Sequence, residues 1–209
     1  SSLEISMIEN LLPTPIFRKK LAASTLEAIQ RFVKSSSLIP TANTGNSTKG
    51  GFQSDEKLLS QNTPEILLLR KEIFTCVSEY FPDFFTAQTR QKYGGQGVTF
   101  DLWGWLTQFG EGGFNAPHIH PRSTISGVYY VQTPDQILKN PNEDFSGWLG
   151  FMDPRANSQI WPLPGHVNHY FVPPEPGSMV LFPSYLSHFV SPFHGEGDRI
   201  ALAFNLRHK

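Results

Sequence analysis

Two hydropathy regimes divide the chain. Up to about residue 96 the apolar positions recur at helical spacing, and beyond it they fall into short runs separated by Pro- and Gly-containing turns. Ile66, Leu69, Ile73 and Val77 form an apolar stripe of period 3.6. Thr63-Pro64-Glu65 ahead of them supplies an N-cap and a proline at the first helical position, and Pro82 follows the end. Ser24-Thr-Leu-Glu27 has capping-box spacing and predicts a shorter helix to about Lys34. Leu11 to Leu21, interrupted by Pro13 and Pro15, reads as an early strand. Ser35 to Gly51, rich in Ser, Thr, Asn and Gly, reads as a long loop, either a solvated connection or a lid over a site.

Val98 to Phe109 is apolar on both parities, the pattern of a strand buried on both faces. Strands are also predicted at Ile125–Val131, Trp148–Met152, His169–Val172, Ser178–Phe182 and Ile200–Leu206, with another at His118. About seven strands after a pair of helices suit two stacked sheets.

Composition narrows the function classes. The net charge is −1 with Lys and Arg scattered, so no basic stripe for nucleic acid or an anionic membrane is present. The 17 Phe, 4 Trp and 6 Tyr, with 17 Pro and 17 Gly, favour short strands and turns over a helical bundle. Cys76 is the single cysteine, so no internal disulfide can form, and its place in a helical pattern predicts an inert buried thiol. Neither a signal peptide nor an apolar run of the ~20 residues that span a bilayer is visible, and a soluble cytoplasmic protein is expected.

The chemistry concentrates in Asn115-Ala-Pro-His-Ile-His-Pro121. His118 and His120 share a face if the segment is extended. His188 comes much later, and Arg199 follows it on a terminal strand. Two close ligands, a distant third and a downstream arginine suggest an iron site with a clamp for an acidic co-substrate. Ferrous oxygenases need three ligands on one side of the metal, usually two histidines and a carboxylate. Here His120 stands where the carboxylate is expected. A neutral imidazole can ligate, and a 2-oxo acid chelating the metal would offset the charge left on it. The planar guanidinium of Arg199 suits the far carboxylate of that co-substrate.

Three segments carry a family resemblance: His118-Ile-His-Pro-Arg-Ser-Thr-Ile-Ser-Gly-Val-Tyr-Tyr-Val131, Gly147-Trp-Leu-Gly-Phe151, and Pro176-Gly-Ser-Met-Val-Leu-Phe-Pro-Ser-Tyr-Leu-Ser-His188 with Arg199 and Asn205. Together they resemble the 2-oxoglutarate- and Fe(II)-dependent oxygenase superfamily, and within it a family with a His-x-His metal motif and unassigned substrates near the prolyl-hydroxylase-like branch. The resemblance spans about Leu102 to Leu206. It implies a mostly β chain folded as a double-stranded β-helix, the cupin-like jelly roll, with the N-terminal helices packed on one sheet. One domain over 1–209 is expected, with about 1–96 as helical support and about 97–209 as the jelly-roll core. The resemblance implies Fe(II) held by His118 and His188, 2-oxoglutarate clamped by Arg199 with Tyr130 as a second contact, and O2 as oxidant. Ser126 shares a strand face with Tyr130 and is a further co-substrate candidate. Asn205 has the parity of Arg199 and is a candidate for a contact behind a metal ligand or with substrate. The third ligand is open among His120, favoured by strand parity, a carboxylate such as Glu111 or Asp153, and a vacant position.

The expected activity is hydroxylation of a small molecule or peptide with release of succinate and CO2. Two alternatives stand beside it: a three-histidine cupin-like dioxygenase or isomerase that does not use 2-oxoglutarate, and a non-enzymatic jelly-roll binding module. A homodimer is compatible with the sequence. Trp103 and Trp105 are expected in the core, Arg155 in a loop salt bridge, His166 and His169 in a solvated loop, and His194 and His208 at the surface. The loops Ser35–Gly51, Gln132–Gly147 and Arg155–His169 are expected to frame the entrance.

Overall fold

A computed structural model describes residues 12–36, 47–84, 98–139, 145–155, 158 and 168–209. Leu11, His166 and much of the three entrance loops lie outside the described residues.

Alternation along the strands builds the molecule. β1 (Phe17–Lys20), β7 (Ser178–Pro183), β4 (Ile125–Gln132), β9 (Arg199–His208) and the first part of β3 (Phe100–His118) are hydrogen-bonded in that order. Beyond Phe109, β3 leaves β9, and near its end it pairs with β8 (His188–Val190). β8 continues to β5 (Leu149–Met152) and β6 (His169–Val172). A single 19-residue strand thus passes from one sheet into the other and closes one side of a jelly roll. Outside this path, β2 (Thr48–Gln53) pairs with β3 over Thr107 to Asn115.

Each strand of the larger sheet sends one parity outward to the helices and the other inward. Ile125, Tyr129 and Val131 of β4, Met179 and Leu181 of β7, and Ile200, Leu202, Phe204 and Leu206 of β9 form the outer core. There they meet α1 (Ala23–Ser35) through Ile29, Phe32 and Val33, and α2 (Pro64–Tyr80) through Ile66, Leu69, Ile73, Cys76, Val77 and Tyr80. Fully burying each such aliphatic side chain is worth about 1.5–3 kcal/mol, which fixes the helices on this face. Inward-facing Tyr130, Val180, Phe182 and Ala201 meet Leu149, Phe151 and Val172 of the smaller sheet in a second core. The fold is therefore the mostly-β jelly roll with helices on one sheet.

Local signals held at some ends and not at others. The Thr63 hydroxyl accepts a hydrogen bond from the Ile66 N–H, with Pro64 at the first helical position. α1 instead begins at Ala23, with Ala22 at the N-cap and no side-chain cap. Ser24 therefore lies within the first turn, where its hydroxyl cannot act as a cap. The expected loop 35–51 ends in β2, and α3 (Asp135–Leu138) and β8 are elements not anticipated. Cys76 is fully buried, and burial pushes its thiol up to about 11, consistent with an inert residue. Among the described residues no helix is long and apolar enough to cross a membrane.

Candidate metal centre

The histidines meet where β3 ends and β8 begins. His118, the last residue of β3, is register partner to His188, the first of β8, and their ring centroids are 4.3 Å apart. His120 lies just past the strand, where its backbone N–H donates to Ser184 O at 3.0 Å. Its ring centroid is 5.0 Å from each of the other two imidazoles. One nitrogen from each of the three rings falls within 4.8 Å of the others. The group contains no carboxylate. Glu111 is instead bonded to His194 Nδ1 (3.0 Å) and to the Gly195 N–H. Asp153 pairs with Arg155 in the expected loop salt bridge, at 2.9 and 2.6 Å.

The rings are held from behind. His118 Nδ1 donates to Ala116 O at 2.7 Å, and His188 Nδ1 donates to Leu186 O at 2.9 Å. A carbonyl only accepts, so each bond puts the ring proton on Nδ1 and leaves the Nε2 lone pair available. His188 is 5 % exposed, packed against Phe182 and Phe151. Burial lowers the pKa of His118; burial and then the neighbouring His118 bring His120 down to about 4; burial and both neighbours hold His188 well below the usual 6.5. All three rings are therefore neutral near pH 7, the state that ligates a metal.

A pH dependence follows for the metal-free chain. As pH drops below 6.5, histidines in the unfolded chain take up protons before these buried rings do. The unfolded state then binds more protons and stability falls. It is greatest above pH 6.5 and declines progressively toward pH 4. Urea midpoints measured with a chelator at pH 7.5, 6.0 and 5.0 should decrease in that order, and a flat profile would contradict the burial of these rings.

The histidines line one cavity, of about 60 Å³, together with Tyr130 and Arg199. Arg199 opens β9 and is 2 % exposed. Its Nε donates to Gly147 O at 2.8 Å, and its guanidinium carbon lies 5.3 Å from the Tyr130 ring centroid and 5.6 Å from that of Phe109. No carboxylate pairs with it among the described residues. Burial lowers its pKa, yet an arginine stays charged. The buried Tyr130 hydroxyl has no hydrogen-bond partner among the described residues; burial pushes it up to about 12 although nearby Arg199 pulls the other way. A buried cation beside an unpartnered hydroxyl suits an anionic ligand with hydrogen-bonding oxygens.

Ser126 faces the interior like Tyr130, but its hydroxyl is taken up by Asn205 Oδ1 (2.7 Å) and Ser184 Oγ (2.8 Å). Trp105 is buried, as expected, and also lines the cavity, 5.9 Å from the His120 ring. Sequence reasoning missed a polar wall made of Ser47, Gln53 and Asn115. Asn115 Nδ2 donates to Thr48 Oγ1 at 3.0 Å and to Ser47 Oγ at 3.3 Å, tying β2 to the His-bearing strand. Only the position of Asn115 at the head of the histidine motif hinted at this wall.

A protein-family model described as "Putative 2OG-Fe(II) oxygenase" matches residues 103–205. No curated protein is similar enough in sequence to count as a relative. Among solved structures, a Pseudomonas putida prolyl-4-hydroxylase is similar at 15 % identity over 94 % of each chain, with a TM-score of 0.60. The viral collagen prolyl hydroxylase of Paramecium Bursaria Chlorella virus-1, in complex with 2-oxoglutarate, is 12 % identical over 91 % of this chain and 94 % of its own (TM-score 0.55). HygX from Streptomyces hygroscopicus, with nickel and 2-oxoglutarate bound, is 12 % identical over 93 % and 83 % (TM-score 0.57). At these identities the likeness to solved structures is one of fold.

Proposed function

We propose, because this chain belongs through its residues 103–205 to the 2-oxoglutarate- and Fe(II)-dependent oxygenases, that it hydroxylates an organic substrate while converting 2-oxoglutarate to succinate and CO2. One observation carries the reading: a single cavity is lined both by three neutral imidazoles and by a buried arginine with no carboxylate partner among the described residues. The donor set fits Fe(II), since imidazole nitrogen suits this metal and the rings converge on one point. His118, His120 and His188 would hold it. Bound Fe(II) supplies the capacity to reduce O2 with electrons from 2-oxoglutarate and the substrate. In the balanced reaction one oxygen atom enters succinate, and the other replaces a substrate C–H with C–OH.

The protein's own part is binding and exclusion of water. Arg199 takes the far carboxylate of 2-oxoglutarate, with its Nε anchored on Gly147 O and its guanidinium beside Tyr130. The Tyr130 hydroxyl adds a donor. The aromatic walls of Trp105 and Phe182 keep the pocket dry. Neutral polar groups of Ser47, Gln53 and Asn115 in the cavity lining favour a substrate, free or within a peptide, that offers hydrogen-bonding groups rather than a strong positive charge.

The lack of a carboxylate ligand also suits a three-histidine dioxygenase that would hold its substrate's own carboxylate at Arg199. One experiment separates the two. The Fe(II)-loaded protein is titrated with 2-oxoglutarate without oxygen, and succinate is then quantified after oxygen is admitted. Saturable binding followed by oxygen-dependent succinate is expected. Fe(II) binding without any 2-oxoglutarate binding would overturn the assignment and favour the second reading.

A further inference from the structure

One buried side chain touches the histidine cluster and has no task in the proposed reaction. Asn205, 5 % exposed, sits on β9 directly opposite Ser126 in the β4 register. Its Nδ2 lies 3.2 Å from His120 Nδ1, and its Oδ1 accepts from Ser126 Oγ at 2.7 Å. Ser126 Oγ is in turn 2.8 Å from Ser184 Oγ, and both serines are 1 % exposed. Ser184 closes the loop, because its carbonyl accepts from the His120 backbone N–H at 3.0 Å.

This partner differs in kind from those behind the other two rings. A carbonyl accepts only, so His118 and His188 keep the Nδ1 proton. A carboxamide offers a donor on one side and an acceptor on the other. With Nδ2 donating to His120 Nδ1, the ring proton must sit on Nε2. It then points at His188 Nε2, 3.1 Å away, whose lone pair is free to accept it. In that tautomer the two histidines latch each other, and His120 Nε2 cannot ligate. Rotating the amide by half a turn reverses every polarity at no cost in packing. Oδ1 then accepts from Nδ1–H, Nδ2 donates to Ser126 Oγ, and that hydroxyl donates on to Ser184. The ring holds one proton throughout; it leaves Nε2 and arrives at Nδ1 through solvent. Either serine can donate, so the network remains satisfied in both settings.

We infer that Asn205, backed by Ser126 and Ser184, is the positioning residue that sets the tautomer of His120 and so admits this histidine as third ligand of a divalent metal. The inference rests on the reading that the three histidines form a metal site. It explains how a histidine serves where a carboxylate is usual: a carboxylate has no ring proton to place, whereas an imidazole ligates through Nε2 only when its Nδ1 proton has an acceptor, which the Asn205 Oδ1 supplies after the amide turns.

The test uses imidazole 15N NMR and Zn(II) calorimetry on the full chain. In the wild-type protein His120 should carry its proton on Nε2 without metal and on Nδ1 with Zn(II). Asn205→Asp, which accepts only, should show the Nδ1 proton in both states and bind Zn(II) at least as tightly as wild type. Asn205→Leu should bind about 10- to 100-fold more weakly, the usual cost of losing such an outer partner. Retention of affinity in the aspartate variant marks a hydrogen-bonding role, because loss of shape would harm both. Wild-type affinity in Asn205→Leu, or an Nε2 proton on His120 in the Zn(II)-loaded wild type, overturns the inference. The wild-type spectra decide even if the leucine variant does not fold. A wild-type chain that binds no Zn(II) overturns instead the metal-site reading beneath it.

Discussion

His188→Ala should abolish 2-oxoglutarate-dependent succinate formation and weaken divalent-metal binding by more than ~100-fold. The lower bound follows from a comparison: outer partners of metal ligands alone are worth about 10–100-fold, and a ligand must exceed its own support. Among the three rings His188 should matter most. It is the most buried, its Nδ1 is fixed on Leu186 O at 2.9 Å, and Phe182 and Phe151 flank it. The alanine variant leaves the Leu186 carbonyl unpaired and opens a cavity, for a stability cost of about 1–3 kcal/mol. Circular dichroism and a urea midpoint therefore accompany the assay, so that lost activity is read on a folded chain. His120→Ala separates a three-histidine site from one completed from elsewhere. If His120 is a ligand, its loss also costs more than ~100-fold in metal affinity; unchanged binding would leave only two histidines at the metal. Unchanged succinate formation in His188→Ala would end the oxygenase reading.

The candidate site was legible because the spacing of its residues repeats the physics of the fold. His118 and His120 stand two apart at a strand end, and Arg199 opens a strand whose parity is set by Ile200, Leu202, Phe204 and Leu206 packing outward. The inward parity thereby places Arg199 and Asn205 on the side of the cavity. What sequence could not supply was contact between strands. Ser126 meets Asn205 only through the β4–β9 register, and Ser184 joins them from the turn after β7. Polar residues on three separate segments leave no periodic trace. β8 is three residues long, too short for alternation to register, although it carries His188. β2 was hidden for another reason: its Thr-Lys-Gly-Gly-Phe-Gln sequence has poor strand propensity, and pairing with β3 overrides it. The capping-box spacing at Ser24 misled because the helix starts at Ala23 with no side-chain cap, and burial of Thr25, Ile29, Phe32 and Val33 holds α1 in place.

Arg199→Met should separate co-substrate binding from metal binding and from stability. Methionine keeps much of the aliphatic length that packs beside Tyr130 and Phe109, but removes the charge and the donors. If the guanidinium holds the far carboxylate of 2-oxoglutarate, truncating that buried pair costs about 2–5 kcal/mol, on the order of 30- to several-thousand-fold in Kd. Fe(II) affinity should not change, since the three histidines lie on β3, β8 and the segment after β3. The sign of the stability change is the sharper test. Without co-substrate, wild type carries a buried guanidinium whose Nε donates to Gly147 O, with Tyr130 beside it and no carboxylate partner among the described residues. Removing that charge relieves a desolvation penalty of several kcal/mol, against about 1–3 kcal/mol for the orphaned Gly147 carbonyl. The ligand-free variant should therefore melt no lower than wild type, while losing the stabilisation of about 2.7 kcal/mol that 2-oxoglutarate at 100 times Kd gives the wild type. Arg199→Lys should fall between them, because an ammonium keeps the charge without the planar fork. Thermal shifts with and without 2-oxoglutarate on the metal-loaded proteins read both effects at once. A methionine variant that loses several kcal/mol of ligand-free stability yet keeps its 2-oxoglutarate shift would make Arg199 a structural residue and leave the co-substrate without a clamp.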